Sequence, residues 1–274
     1  MPSSLFPSNK FLLIAGPCTI ESASVCQTIA DVLADLQQRY ASKLEIVFKG
    51  SFDKANRTDV HSPRGLGLSA GLEILSNLHQ TYGLKTTTDI HLPEQAALAA
   101  KVCDILQIPA FLCRQTDLLA AAAATQRVVS VKKGQFLSPW DVSFIVEKLR
   151  YFHAKEIWLL ERGTCFGYGN LVVDMRSFPI LKQTHCPVIF DATHSLQHSG
   201  KGEKTTGGDR QFLLPLAQAA LAAGAQGLFM ETHPHPEKAW SDQATQVPLE
   251  QLSSILKQCL AVWECMQEKT SLSA

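Results

Sequence analysis

Short apolar runs, rich in β-branched and aromatic residues, alternate along the chain with longer stretches of helical period. The runs cover 11–15, 44–49, 84–88, 103–106, 128–132, 156–161, 187–190 and 226–230. Their length and content predict buried strands. Between them, Val25, Ile29, Leu33, Leu36 and Tyr40 fall at three- and four-residue spacing, which predicts a helix with Ser22 as its N-cap. Phe144, Ile145, Leu149 and Phe152 form a second stripe, and Phe212, Leu216, Ala219 and Ala223 a third that ends before Gly224. Leu252, Ile255, Leu256, Cys259 and Trp263 mark a closing helix. Eight strands, each followed by a helix, predict a single α/β domain over 1–274, a (β/α)8 TIM barrel. A doubly wound open sheet is the competing topology and would need a reversal of strand order. No GxGxxG follows the first run and no GxxxxGK[ST] loop occurs, so a dinucleotide or P-loop fold has little support.

The segments after several strands are long and polar: 50–69, 163–174, 192–208 and 231–248. In a barrel these lie at the catalytic face. The stretch HSGKGEKTTGG (198–208) has no apolar anchor and reads as a lid that orders over substrate and excludes water.

Composition narrows the class. The 274 residues are 46% hydrophobic and 18% charged with a formal net charge of zero, which argues against a nucleic-acid or anionic-membrane partner and leaves room for a local basic pocket. Residues 1–10 carry no long apolar run and no run reaches membrane-spanning length, so neither a secretory signal nor a membrane anchor is expected. The eight cysteines form no CxxC pair, and a reducing, cytoplasmic compartment fits them best.

Candidate chemistry gathers at the predicted strand ends. Cys18, His194, Glu231 and Asp242 follow or close such runs, and one thiolate, one imidazole and two carboxylates suit a mixed site for zinc, iron or manganese. His233 pairs equally well with Glu231 by spacing, and His235 keeps the choice of ligand open. Cations recur beside them: Lys49, Lys54 and Arg57 after the second strand, Arg114 after the fourth, Lys132 and Lys133 at the fifth, Arg162 at the sixth. Convergence at one mouth would focus positive potential suited to phosphates and carboxylates. Asp89, His91, Gln107 and Asp191 could order a sugar or move protons.

Taken together, the motifs AGPCTIES (15–22), FKGSFDKANR (48–57), TTTDIH (86–91), QIPAFLCRQTDLL (107–119), VKKGQF (131–136), ERGTCFGYGNLVVDMRSF (161–178), FDATHS (190–195) and GGDRQF (207–212) carry a resemblance across residues 11–248. The chain resembles the family that unites the 3-deoxy-D-manno-octulosonate-8-phosphate and 3-deoxy-D-arabino-heptulosonate-7-phosphate synthases. Its members condense phosphoenolpyruvate with a phosphorylated aldose and release inorganic phosphate. The KANR form resembles the octulosonate branch, which uses arabinose 5-phosphate in making the lipopolysaccharide sugar Kdo; the heptulosonate branch carries a KPRTS-like segment there. The resemblance implies that Lys49, Lys54, Gln107, Lys132 and Arg162 contact phosphoenolpyruvate, that Asp89 contacts an aldose hydroxyl, and that Asn56 and Arg57 position the aldose or hold its phosphate. It also implies that Arg114 reaches that phosphate from a neighbouring subunit of a homotetramer. Cys18 stands where metal-independent members have Asn, which implies the metal-dependent class, with one divalent ion per subunit and His194, Glu231 and Asp242 as its other ligands. Asp209 in GGDR departs from the family pattern.

Overall fold

The computed structural model describes residues 4–7, 9–167, 169–198 and 207–272. Eight parallel strands form its centre: β1 Phe11–Gly16, β2 Leu44–Lys49, β3 Lys85–Asp89, β4 Ile105–Ile108, β5 Val128–Lys132, β6 Glu156–Glu161, β7 Val188–Asp191 and β8 Gly227–His233. Each strand pairs with the next, and β1 pairs with β8 from Leu12↔Gly227 to Gly16↔Glu231, so the sheet closes. The helices α1 Ala23–Arg39, α2 Leu68–Tyr82, α3 Pro93–Ala99, α4 Thr116–Ala124, α5 Val142–Tyr151, α6 Ser177–Lys182, α7 Leu213–Ala222 and α8 Leu249–Leu272 follow the strands in turn. This is the (β/α)8 barrel that the alternation of runs predicts, not an open sheet.

Strand parity divides the core in two, because successive side chains point to opposite faces. Leu13, Ile46, Leu106, Val129, Leu159 and their neighbours pack outward against the helices. Leu12, Ile14, Val47, Ile105, Val128, Trp158, Leu160, Ile189 and Phe229 fill the barrel interior. At the floor, Glu156 accepts hydrogen bonds from Ser4 Oγ (2.9 Å), Leu5 N (2.8 Å), Phe6 N (3.0 Å) and Trp158 Nε1 (2.7 Å). Phe6 then meets Trp158 edge-on at 5.4 Å and covers that end.

Helix signals read from the chain hold where a polar face fixes the phase. Ser22 Oγ accepts from Val25 N at 3.2 Å, and α1 buries Ile29, Leu33 and Leu36. The third stripe is out of phase: α7 buries Leu213, Ala217, Ala220 and Leu221, and Phe212 is half exposed. Phe212 ends a 3₁₀ turn, Arg210–Phe212, whose period differs from the helix it precedes. The segment LLPLAQAALA is also apolar on nearly every side, so its sequence carries no phase information. In α5, Phe144 likewise points outward while Val142, Ile145, Val146 and Leu149 face the core.

Five strands, β1, β3, β4, β7 and β8, begin or end one to three residues away from their predicted bounds. In the last four of these the shift places Asp89, Gln107, Asp191 and Glu231 on strands rather than after them. Of the predicted lid, 199–206 lies outside the described residues.

Candidate metal centre and anion site at the barrel mouth

Counting up by twos from the interior core reaches the polar residues of the mouth. Lys49 lies two beyond Val47, Gln107 two beyond Ile105, Lys132 four beyond Val128, Arg162 two beyond Leu160, Asp191 two beyond Ile189 and Glu231 two beyond Phe229. The same parity that buries the core therefore makes these residues its uppermost layer. Register aligns them sideways as well: Asp89 pairs with Gln107, and Phe229 with Asp191.

One ligand atom from each of Cys18, His194, Glu231 and Asp242 falls in a group whose members all lie within 4.8 Å of one another. His194 Nε2 is 3.4 Å from Glu231 Oε2 and 3.8 Å from Asp242 Oδ2, and Cys18 Sγ donates to Asp242 Oδ2 at 2.9 Å. His194 Nδ1 faces Asp191 Oδ2 at 2.8 Å, which orients the ring so that Nε2 turns to the group. A carboxylate behind a histidine in this way fixes its tautomer and raises its basicity as a ligand. Glu231 Oε2 is buried and has no hydrogen-bond partner, the condition of a polar atom that awaits a cation. Burial, then the negative charges of Asp242 and Glu231, push the Cys18 thiol well above its ordinary value, and a divalent ion is the charge that would reverse this. The donor set fits a metal ion. The two histidines left open by spacing are elsewhere: His233 Nε2 lies 3.6 Å from Glu21 Oε2, and His235 is largely exposed beside Glu237.

The cations converge on the same mouth, where they neutralise buried carboxylates. Lys49 Nζ lies 2.8 Å from Glu231 Oε1 and 2.9 Å from the Cys18 carbonyl, with Asp89 at 3.9 Å. Lys54 is 3.8 Å from Glu231 Oε1. Lys132 Nζ sits 2.6 Å from Asp191 Oδ2 and 3.7 Å above the Phe229 ring. Burial alone would raise Glu231, but the charges of His194, Lys49, Lys54 and Lys132 hold it well below the usual carboxylate range. Asp89 is depressed against its burial by Lys49, Lys54 and Lys132, and Asp191 by His194 and Lys132. Asp89 also accepts from Ser51 Oγ and Gln107 Nε2.

Three of the cations read from the sequence stand apart. Lys133 is not at the mouth: strand parity turns it outward, where its Nζ is held by the carbonyls of Gly134, Leu137 and Gly163, by Thr164 Oγ1 at 3.0 Å and by Glu161 at 3.4 Å. It ties the loop after β5 to the loop after β6. Arg57 leaves Asn56 exposed beside it and spans two loops, donating to the carbonyls of Pro63 and Trp240. Arg114 is exposed after β4, and among the described residues its side chain hydrogen-bonds to none of the site.

Sequence reasoning missed the residues that brace the four-donor group. Asp242 sits at φ 50°, a left-handed conformation that Asp tolerates better than most residues, and its carbonyl accepts from Thr245 N and Gln246 N. Gln246 Oε1 accepts from Cys18 N at 3.3 Å, and Thr19 Oγ1 meets Ser241 Oγ at 2.8 Å. Thr193 Oγ1 accepts from Glu231 N at 3.2 Å. Gln197 donates to Asp242 Oδ1 at 2.7 Å and accepts from Arg162.

The model of the DAHP synthetase I family matches residues 7–268, nearly the whole barrel. The chain belongs to that family. Among curated members, a 2-dehydro-3-deoxyphosphooctonate aldolase of Protochlamydia amoebophila is 46% identical over 263 residues, covering 96% of this chain and 95% of the relative. Two strains of Nitratidesulfovibrio vulgaris have proteins of the same name, 52% identical over 256 residues and covering 93% of each chain. The family resemblance read from the motifs is thus borne out, and these relatives bear octonate names, in line with the branch that KANR indicates.

Proposed function

We propose that this member of the DAHP synthetase I family condenses phosphoenolpyruvate with D-arabinose 5-phosphate and water, giving 3-deoxy-D-manno-octulosonate 8-phosphate and inorganic phosphate. It forms a C–C bond as a 3-deoxy-8-phosphooctulonate synthase of Kdo biosynthesis. The observation that carries the reading is one barrel mouth in which Lys49, Lys132 and Arg162 of the interior layer, with Lys54 from the loop after β2, meet the four-donor group. In this proposal Cys18, His194, Glu231 and Asp242 hold one divalent ion per subunit. Bound there, the ion supplies polarisation or orientation of the aldehyde or of water.

The remaining steps follow from bond and charge balance. Carbon 3 of phosphoenolpyruvate attacks the aldehyde carbon, whose oxygen takes up a proton. Water adds at carbon 2 with loss of a proton, and the resulting phosphorylated hemiketal breaks its C–O bond to release phosphate and leave the 2-keto acid. Lys49, Lys54, Gln107, Lys132 and Arg162 hold the phosphoenolpyruvate. Asn56 and Arg57 hold the aldose phosphate, and Asp89 accepts from an aldose hydroxyl. Their work is to bring two anions within reacting distance against mutual repulsion, a positioning and electrostatic contribution. Asp191 keeps the imidazole of His194 oriented and balances Lys132.

We further propose that Arg114, exposed in the single chain, completes the aldose-phosphate site of a neighbouring subunit in a homotetramer. A cytoplasmic location agrees with eight free cysteines. Among the described residues no helix is long and apolar enough to cross a membrane.

The test is phosphate release from phosphoenolpyruvate with arabinose 5-phosphate or erythrose 4-phosphate, before EDTA and after EDTA with divalent metal restored. Turnover with arabinose 5-phosphate, lost to EDTA and recovered with metal, is the expected result. Turnover only with erythrose 4-phosphate would move the chain to the heptulosonate branch, and turnover that survives verified metal removal would end the catalytic role of the ion. In the same assay Arg57→Ala is expected to raise the KM for arabinose 5-phosphate by roughly 10- to 100-fold, the loss of one charge-assisted hydrogen bond to phosphate. Binding of phosphoenolpyruvate should change little. Equal loss of both substrates would show general collapse of the site instead.

A further inference from the structure

We propose that Gln197 is a positioning residue that couples the anion pocket to the metal centre, an inference that rests on the reading of both sites given above. Its side-chain amide spans the gap between them. Nε2 donates to Asp242 Oδ1 at 2.7 Å, and Oε1 accepts from Arg162 Nη2. The donor end meets a carboxylate and the acceptor end a guanidinium. Reversal of the amide would set like partial charges against each other at both ends, so the pair of contacts fixes its orientation. Because Gln197 takes Oδ1, the other carboxylate oxygen, Oδ2, is the one left beside Cys18 Sγ at 2.9 Å and His194 Nε2 at 3.8 Å.

The backbone under Gln197 is braced against the turn that carries its partner. Gln197 forms an antiparallel bridge with Gly208, and His198 N donates to the Gly207 carbonyl at 3.0 Å. A Cβ on Gly208 would fall 2.3 Å from Thr245 Cγ2, so only glycine permits this approach, and Thr245 N donates in turn to the Asp242 carbonyl at 3.1 Å. Gln197 follows the 3₁₀ turn His194–Leu196, which presents the ligand His194. One short segment therefore delivers a ligand and, one residue past the turn, the amide that aligns a second ligand.

Arg162 is buried and its Nη2 already donates to Gln197, so an anion that engages this guanidinium shares it with that contact and pulls on it. Any change in that contact passes through a rigid amide to Asp242. Linkage then requires that the anion and the metal alter each other's affinity by the same factor. Through-space attraction between the two charges exists without Gln197; the proposal is that the amide adds to it.

The experiment measures zinc(II) affinity by competition with a chromogenic chelator, with and without phosphoenolpyruvate, on full-length wild type and Gln197→Met. Methionine keeps length and approximate volume and removes both polar ends. The expected result is zinc binding weaker by on the order of 10- to 100-fold, as for other partners that hold a ligand in place. The factor by which phosphoenolpyruvate changes zinc affinity should also shrink. A general loss of packing would lower affinity but leave that factor intact, which would overturn the coupling. Wild-type zinc affinity and an unchanged factor in Gln197→Met would overturn the proposal outright. Wild type that binds no zinc would overturn the metal centre itself and the coupling with it, a failure visible without any variant. Should Gln197→Met not fold, as judged by its thermal transition, Gln197→Asn serves with the same criteria, since its shorter amide cannot span both partners.

Discussion

Replacing Cys18 by asparagine is expected to strip the protein of most of its bound metal while leaving the barrel folded. In the proposed set of four ligands Cys18 supplies the soft, anionic donor, and a neutral amide oxygen is a much weaker donor to a zinc- or iron-like ion. The substitution is otherwise mild. The backbone at Cys18 is held by Gln246 Oε1 on its N–H and by Lys49 Nζ on its carbonyl, neither of which involves the side chain. An asparagine Nδ2 can donate to Asp242 Oδ2 as the thiol does at 2.9 Å, so the loop keeps its contact with the Asp242 turn. Metal content after gel filtration, followed by chelator competition, measures the effect, which we expect to exceed roughly 100-fold in affinity, beyond the range for outer partners of a ligand. Metal content equal to wild type would remove Cys18 from the ligand set. A coincident collapse of the thermal transition would instead make Cys18 a packing residue, as a buried free cysteine usually is.

The site was legible to the degree that it follows from strand parity. Lys49, Gln107, Lys132, Arg162 and Glu231 each continue an interior apolar series, so a polar residue at the end of such a series points into the mouth. The same rule, applied strictly, would have excluded Lys133, one residue out of step with Lys132. The four candidate ligands are recognisable as types at strand ends, but spacing alone does not separate Asp242 from His233 or His235; that takes the chain's path after β8, and a left-handed turn at Asp242 is not written in its neighbours. The braces were illegible for another reason. Gln246 and Cys18 are 228 residues apart, and Gln197 and Asp242 are 45 apart. Polar residues in irregular loops carry no period, and only closure of the barrel brings them together. Helix phase was lost where it had no chemical contrast: α7 is apolar around its circumference, and its stripe was misplaced, whereas α1, with a polar face, was not.

Lys49→Met is expected to destabilise the metal-free protein by about 3–5 kcal/mol at neutral pH, the scale for leaving buried charge uncompensated. Lys49 is 1% exposed, and its ammonium is shared among Glu231, the Cys18 carbonyl and, at 3.9 Å, Asp89. Methionine fills most of the same channel, so the loss is electrostatic rather than one of packing. Its pH dependence tests that cause. In the wild type, burial raises both carboxyls but the neighbouring cations win, and Glu231 and Asp89 are held below the usual range. Groups depressed in the folded state contribute stability above the unfolded carboxylate pKa and lose it as pH falls through the folded one. Without Lys49 both carboxyls rise towards the value burial alone would set. The folded variant then takes up protons at a higher pH than wild type, and the stability gap between them should narrow as pH falls from about 7.5 to about 5. Urea unfolding of chelator-treated protein at the two pH values measures this; a gap of constant size would assign the loss to packing. Restoring divalent metal should recover part of the loss, because the ion binds the folded state and supplies the missing positive charge beside Glu231. The resemblance treats Lys49 as a contact to phosphoenolpyruvate, and an anion contact alone would leave the stability of the unliganded protein nearly unchanged. A large loss, relieved by acid and by metal, would instead make Lys49 part of the support on which the metal centre is built.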